Sequence, residues 1–88
     1  MTLNSYRNEA GELLRKIDPN NKESISNILR MLDEEYTLLR KSINEPIKIG
    51  HQIYDVLFLL FELSAKYSID LDYEWLKGRE RKLKYIGG

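Results

Sequence analysis

Three consecutive acids, Asp33, Glu34 and Glu35, stand in mid-segment of a stretch with helical periodicity, and Asp55 follows 20 residues after Glu35 across one short break. Carboxylates contributed by two facing helices are the donors a hard cation takes. Mg²⁺ accepts oxygen ligands at about 2.1 Å and commonly completes its six positions with waters and substrate phosphates. Each acid also has a plainer role. Asp33, Glu34 and Glu35 suit the wet side of a helix, and Asp55 suits an ion pair with Lys48, Lys66 or a lysine of a neighbouring helix. An isolated carboxylate would be costly there, because the apolar run Val56 to Phe61 begins at the next residue.

Other chemistry is thinner. His51 is the single histidine and there is no cysteine, so no nucleophilic triad, thiol nucleophile or cysteine zinc site can be assembled. His51 suits a surface or loop-end position. Tyr73 and Trp75 can stack on a base, although aromatic residues on an amphipathic helix more often serve a core or a subunit interface. Lys77 to Tyr85, "KGRERKLKY", carries five basic residues against one acid. Lys77, Arg79 and Lys82 can meet phosphates, or simply complement the negative end of a helix.

The elements that must position these residues are helical. Leu3, Tyr6, Ala10, Leu13, Leu14 and Ile17 recur at three- and four-residue steps, and "DPNN" then breaks the pattern. A second segment, capped at Asn20 or Asn21, places Ile25, Ile28, Leu29, Leu32, Tyr36, Leu39 and Ile43 on one face. Pro46 ends it by disfavouring helical geometry at Glu45. The third segment is apolar around most of its circumference from Val56 to Leu63, except for one line of Lys48, Gln52, Asp55, Leu59, Glu62 and Lys66. Asp70 caps a fourth segment that uses Leu71, Trp75 and Leu76 and frays at its "IGG" end. The expected helices are 2–17, 22–43, 47–67 and 71–85 in a single all-α domain spanning 1–88, a four-helix bundle-like architecture.

Short loops favour antiparallel neighbours, so the second and third helices should form a hairpin closed at Asn44 to Pro46. Glu35 and Asp55 are each about ten residues from that turn and should face one another, to within about one helical turn.

Composition bounds the rest. At 88 residues with 14 basic and 14 acidic side chains, the chain is balanced in charge and small enough that self-association is a natural remedy for a thin core. The absence of cysteine and of a continuous apolar leader points to a cytoplasmic protein. The apolar run is far short of the roughly 20 residues needed to cross a bilayer, so no membrane partner is expected. One basic tail is too small a patch to indicate nucleic-acid binding.

The stretches "LDEEYTLLRKSI" and "HQIYDVLFLLFELSAKYSIDLDYEWLKGRERK" resemble the MazG-type nucleotide pyrophosphohydrolases over about residues 25 to 82. That all-α family shows EExxE, a spacer and ExxD, then an apolar helix leading to a "GIDL" turn. Here "DVLFLLFELSAKYSIDLD" follows the same layout from Asp55 to Asp72. The resemblance implies a helical dimer or tetramer that holds Mg²⁺ on acids of two helices and hydrolyses nucleoside triphosphates to monophosphates and pyrophosphate. It matches Glu34 and Glu35 to the paired glutamates and Asp55 to the aspartate of ExxD. On this basis Glu35 and Asp55 hold the metal, Glu34 positions or activates water, and Lys77, Arg79 and Lys82 bind phosphates.

Two positions depart from the pattern. Leu38 stands where the third glutamate belongs, and Gln52 stands where the glutamate of ExxD belongs. Leu38 offers no oxygen, whereas Gln52 offers a neutral carbonyl, so one nucleotide-bound ion is feasible and a two-metal site is hard to hold. Two functions therefore stay open. One is a Mg²⁺-dependent pyrophosphohydrolase with weakened metal binding. The other is a degenerate relative that serves as a nucleotide-binding or oligomeric interaction module.

Overall fold

A computed structural model describes residues 2–19 and 24–87. It is all-α. Four helices follow one another as α1 (Leu3–Ile17), α2 (Ile25–Lys41), α3 (Pro46–Lys66) and α4 (Leu71–Gly87). No helix among the described residues is long and apolar enough to cross a membrane.

Local chemistry sets the helix ends. Thr2 and Ser5 form a capping box at α1, the Thr2 hydroxyl accepting the Ser5 backbone N–H at 3.1 Å. Ser24 caps α2 by accepting the Asn27 N–H at 3.1 Å. The caps expected at Asn20 and Asn21 lie outside the described residues, and α2 begins later than position 22. It also stops at Lys41, before Ile43. The Ser42 hydroxyl donates to the Leu38 carbonyl at 2.8 Å, and the Glu45 N–H closes a turn on the Ser42 carbonyl at 2.9 Å. Pro46 then occupies the first turn of α3, where its missing N–H is not needed. At the other extreme, α4 continues to Gly87 instead of fraying at Ile86.

Helix α3, about 31 Å long at 1.5 Å per residue, is the central element. Both α1 and α2 pack on it, and α4 packs on α1. The α2–α3 contact follows a heptad pattern on both sides. Ile25, Ile28, Leu32, Glu35, Leu39 and Ser42 on α2, and Ile49, Gln52, Val56, Leu59, Leu63 and Lys66 on α3, repeat at steps of three and four. None of the twelve is exposed. Run antiparallel from the turn, the two series pair in order, Ser42 with Ile49 and Ile25 with Lys66, as coiled-coil seams do. Thus the polar line read on α3 does not face water: Gln52, Asp55, Glu62 and Lys66 are buried or half-buried, and only Lys48 of that line is exposed.

Helix α1 approaches α3 closely at Gly11. A Cβ there would meet the Ala65 Cβ at 3.3 Å, so the glycine permits near contact of the two backbones. Tyr6 and Phe61 lie ring to ring at 5.9 Å along the same contact. No residue of α4 is buried. Trp75, on the expected apolar stripe, is two-thirds exposed and joins no core within the chain.

Candidate functional site

Glu35 and Gln52 are the polar members of adjoining layers in the middle of the α2–α3 seam. Their oxygens Glu35 Oε2 and Gln52 Oε1 are buried and have no hydrogen-bond partner among the described residues. Desolvation raises the Glu35 carboxyl above its ordinary value, and the charges of Asp55 and then Glu34 raise it further. The hairpin therefore brings Glu35 and Asp55 together, as counting from the turn suggested. Lys48 does not neutralise Asp55: its ammonium pairs with Glu45 at 3.4 Å on the outer surface.

The remaining expected site residues lie elsewhere. Glu34 is on the exposed flank of α2, its carboxylate 2.9 Å from the Arg30 guanidinium one turn earlier. Leu38 is part-exposed beside the seam and adds no oxygen. His51 is exposed. Lys77 lies over the Tyr73 ring at 5.6 Å and 3.8 Å from Glu80, engaged within α4 itself. Arg79 and Lys82 are exposed on the same helix. Asp55 is 11 residues from the end of α3 at Lys66, about 16 Å along the axis. Helix α4 leaves from that far end and packs on α1. Within one chain Lys77, Arg79 and Lys82 are not gathered with Glu35 and Asp55.

Glu35 and Gln52 lie in the seam with Asp55 beside it, and Glu35 Oε2 and Gln52 Oε1 have no hydrogen-bond partner among the described residues, so their lone pairs are open to a ligand. Among the described residues no three histidine, cysteine or carboxylate groups gather as a metal cluster. The protein's share would then be two or three oxygens, with phosphates and waters supplying the others, as Mg²⁺ accepts.

A second polar constellation includes the expected Asp70 cap of α4, and its link to α1 was not expected. Asp72 accepts the backbone N–H groups of Leu3 at 2.9 Å and Asn4 at 3.4 Å, while the Asn4 side-chain oxygen accepts the Leu71 N–H at 2.8 Å. Asp70 accepts from the Asn4 amide and the Tyr73 N–H, both at 3.0 Å, and these two donors hold its carboxyl below the ordinary range. The Arg7 guanidinium donates to the Ile69 carbonyl. The N-termini of α1 and α4 thus cap each other, and the two carboxylates offset the positive ends of two helices. The only advance signal was the pair of acids around Leu71, which suits a helix start without indicating a second helix.

The turn leading there has a Schellman geometry. Ser68 has φ of 52°, its N–H bonds the Ala65 carbonyl at 3.2 Å, and the Ile69 N–H bonds the Ser64 carbonyl at 3.0 Å. A left-handed residue at this place is usually glycine.

Comparison with family models, with curated proteins and with solved structures returns no match to this chain.

Proposed function

We propose that this chain is a MazG-like, Mg²⁺-dependent nucleoside triphosphate pyrophosphohydrolase whose activity is weakened by Leu38 and Gln52. The observation that carries the reading is the pair of unpartnered oxygens, Glu35 Oε2 and Gln52 Oε1, in the α2–α3 seam beside Asp55. The left-handed Ser68 also supports it, because the resembling family has glycine at the start of that turn. Glu35 and Asp55 hold the ion, Gln52 adds a neutral oxygen, and Mg²⁺ when bound supplies charge neutralisation on the phosphate oxygens. Glu34, next toward solvent, positions the attacking water. The water oxygen bonds to phosphorus and its proton passes to Glu34 or to solvent as the α–β phosphoanhydride breaks, giving monophosphate and pyrophosphate. Lys77, Arg79 and Lys82 reach the phosphates only from another protomer in this reading, because α4 leaves from the far end of α3.

One observation favours a second reading, a degenerate relative acting as a nucleotide-binding or oligomeric interaction module. Glu35 and Gln52 occupy heptad seam positions, where a buried polar group can serve to fix helix register without any turnover.

Pyrophosphate release from a nucleotide panel separates the two. The native protein should release it slowly with Mg²⁺, Asp55→Asn should lose at least the roughly 10- to 100-fold that removal of a ligand's hydrogen-bond partner costs at metal sites, and Leu38→Glu with Gln52→Glu should be faster. An inert native protein with an active double variant selects the second reading. Native activity that survives Asp55→Asn places the chemistry elsewhere.

A further inference from the structure

The side of α3 turned away from the α2 seam forms, with α1, an open groove of about 410 Å³, a volume in the range of small-molecule sites. Aromatic rings dominate its lining. Tyr6 of α1 and Tyr54, Phe58 and Phe61 of α3 stand in two pairs, Tyr6 with Phe61 at 5.9 Å and Tyr54 with Phe58 at 6.0 Å between ring centroids. Tyr6 and Tyr54 are exposed, so these rings are open to a ligand.

Glu9 is the one charged residue of the lining, and no lysine, arginine or histidine accompanies it. Its side chain is exposed and joins no ion pair among the described residues. Arg7, two residues earlier on α1, is engaged elsewhere, donating to the Ile69 carbonyl and to the Asn8 side-chain oxygen.

Rings and carboxylate select the same sign of charge. An aromatic face is the negative part of the ring quadrupole, so it attracts an ammonium group and repels an anion. Glu9 adds a full negative charge to that preference. We infer that the groove binds a small organic cation, an ammonium group carried on an apolar or aromatic body. Glu9 and the ring faces meet the charge, and Leu57 with the remaining ring surface covers the body. The inference goes beyond the nucleotide reading and does not depend on it. Groove and seam use opposite sides of α3, and a nucleoside triphosphate has the wrong charge for the groove.

Titration of the native chain with benzyltrimethylammonium, followed by amide NMR in buffer free of metal and nucleotide, tests this. Benzyl alcohol and phenylacetate serve as the neutral and anionic comparisons. The cation should shift the signals of Tyr6, Ala10, Tyr54 and Phe61, and both comparisons should bind at least about 5-fold more weakly. Glu9→Gln and Tyr54→Leu should each weaken the cation by about 2- to 5-fold. Glu12→Gln, which removes an exposed acid of the same helix outside the lining, should leave binding unchanged. If Tyr54→Leu does not fold, the comparison of Glu9→Gln with Glu12→Gln decides. Absence of shifts with the cation, equal or tighter binding of phenylacetate or benzyl alcohol, or equal losses in Glu9→Gln and Glu12→Gln overturns the proposal.

Discussion

Asp72 accepts the Leu3 backbone N–H at 2.9 Å across 69 positions of sequence, tying the first turn of α4 to the first turn of α1. Those N–H groups have no intrahelical partner, so the carboxylate removes two orphan donors at once. Asp72→Ala should cost about 1 kcal/mol, the usual loss for a cap. For a chain of this size that lowers Tm by about 4 to 8 °C. Thermal denaturation by circular dichroism checks this, and an unchanged Tm would show that the junction adds nothing.

Ser68 sits at a φ of 52° in the turn after α3. Glycine adopts that conformation without the Cβ clash, although it also enlarges the conformational freedom of the unfolded chain. Relief of strain should win, because the position is fixed by two turn hydrogen bonds. Ser68→Gly is expected to stabilise by about 0.5 to 1 kcal/mol, with the magnitude set by the left-handed penalty. Chemical denaturation gives the value, and a lower midpoint at unchanged slope would contradict it.

Glu35 carries a pH signature of definite sign. Its folded-state value is raised above the ordinary 4.5, first by burial and then by Asp55 and Glu34. Between 4.5 and the raised value the folded chain binds more protons than the unfolded chain, so stability falls as pH rises through that window. Above it, ionised Glu35 is at its most unfavourable. Glu35→Gln should therefore raise Tm relative to the native protein at neutral pH and give little gain below pH 4.5. Melting curves across pH test this, and a gain largest in acid would reverse the assignment.

The hairpin and its acid pair were legible because two constraints act locally. The apolar steps through Ile25, Ile28, Leu32 and Leu39 mark the inner side of α2, although Leu29, Tyr36 and Ile43, read on the same face, are exposed, and the short turn fixes how far each acid lies from it. Together they put Glu35 beside Asp55. The α1–α4 junction was not legible, because a capping pair 69 residues apart leaves no periodic trace. The direction of α4 was hidden for a similar reason. Its stripe of Leu71, Trp75 and Leu76 marks an amphipathic helix but not which neighbour receives it, and in this chain α1 receives it incompletely. The end of α2 was missed because the Ser42 hydroxyl competes for the Leu38 carbonyl, a side-chain effect that apolar spacing does not reveal.

We propose that the unpartnered oxygens of the α2–α3 seam hold a Mg²⁺–nucleotide complex. Differential thermal melting of the native protein and Asp55→Asn, with Mg²⁺ and a panel of nucleoside triphosphates, tests it most directly. A triphosphate at 100 times its Kd should stabilise the native protein by about 2.7 kcal/mol. The Asp55→Asn protein should show little shift under the same conditions. No shift of the native protein with any nucleotide, or an equal shift in Asp55→Asn, would contradict the account.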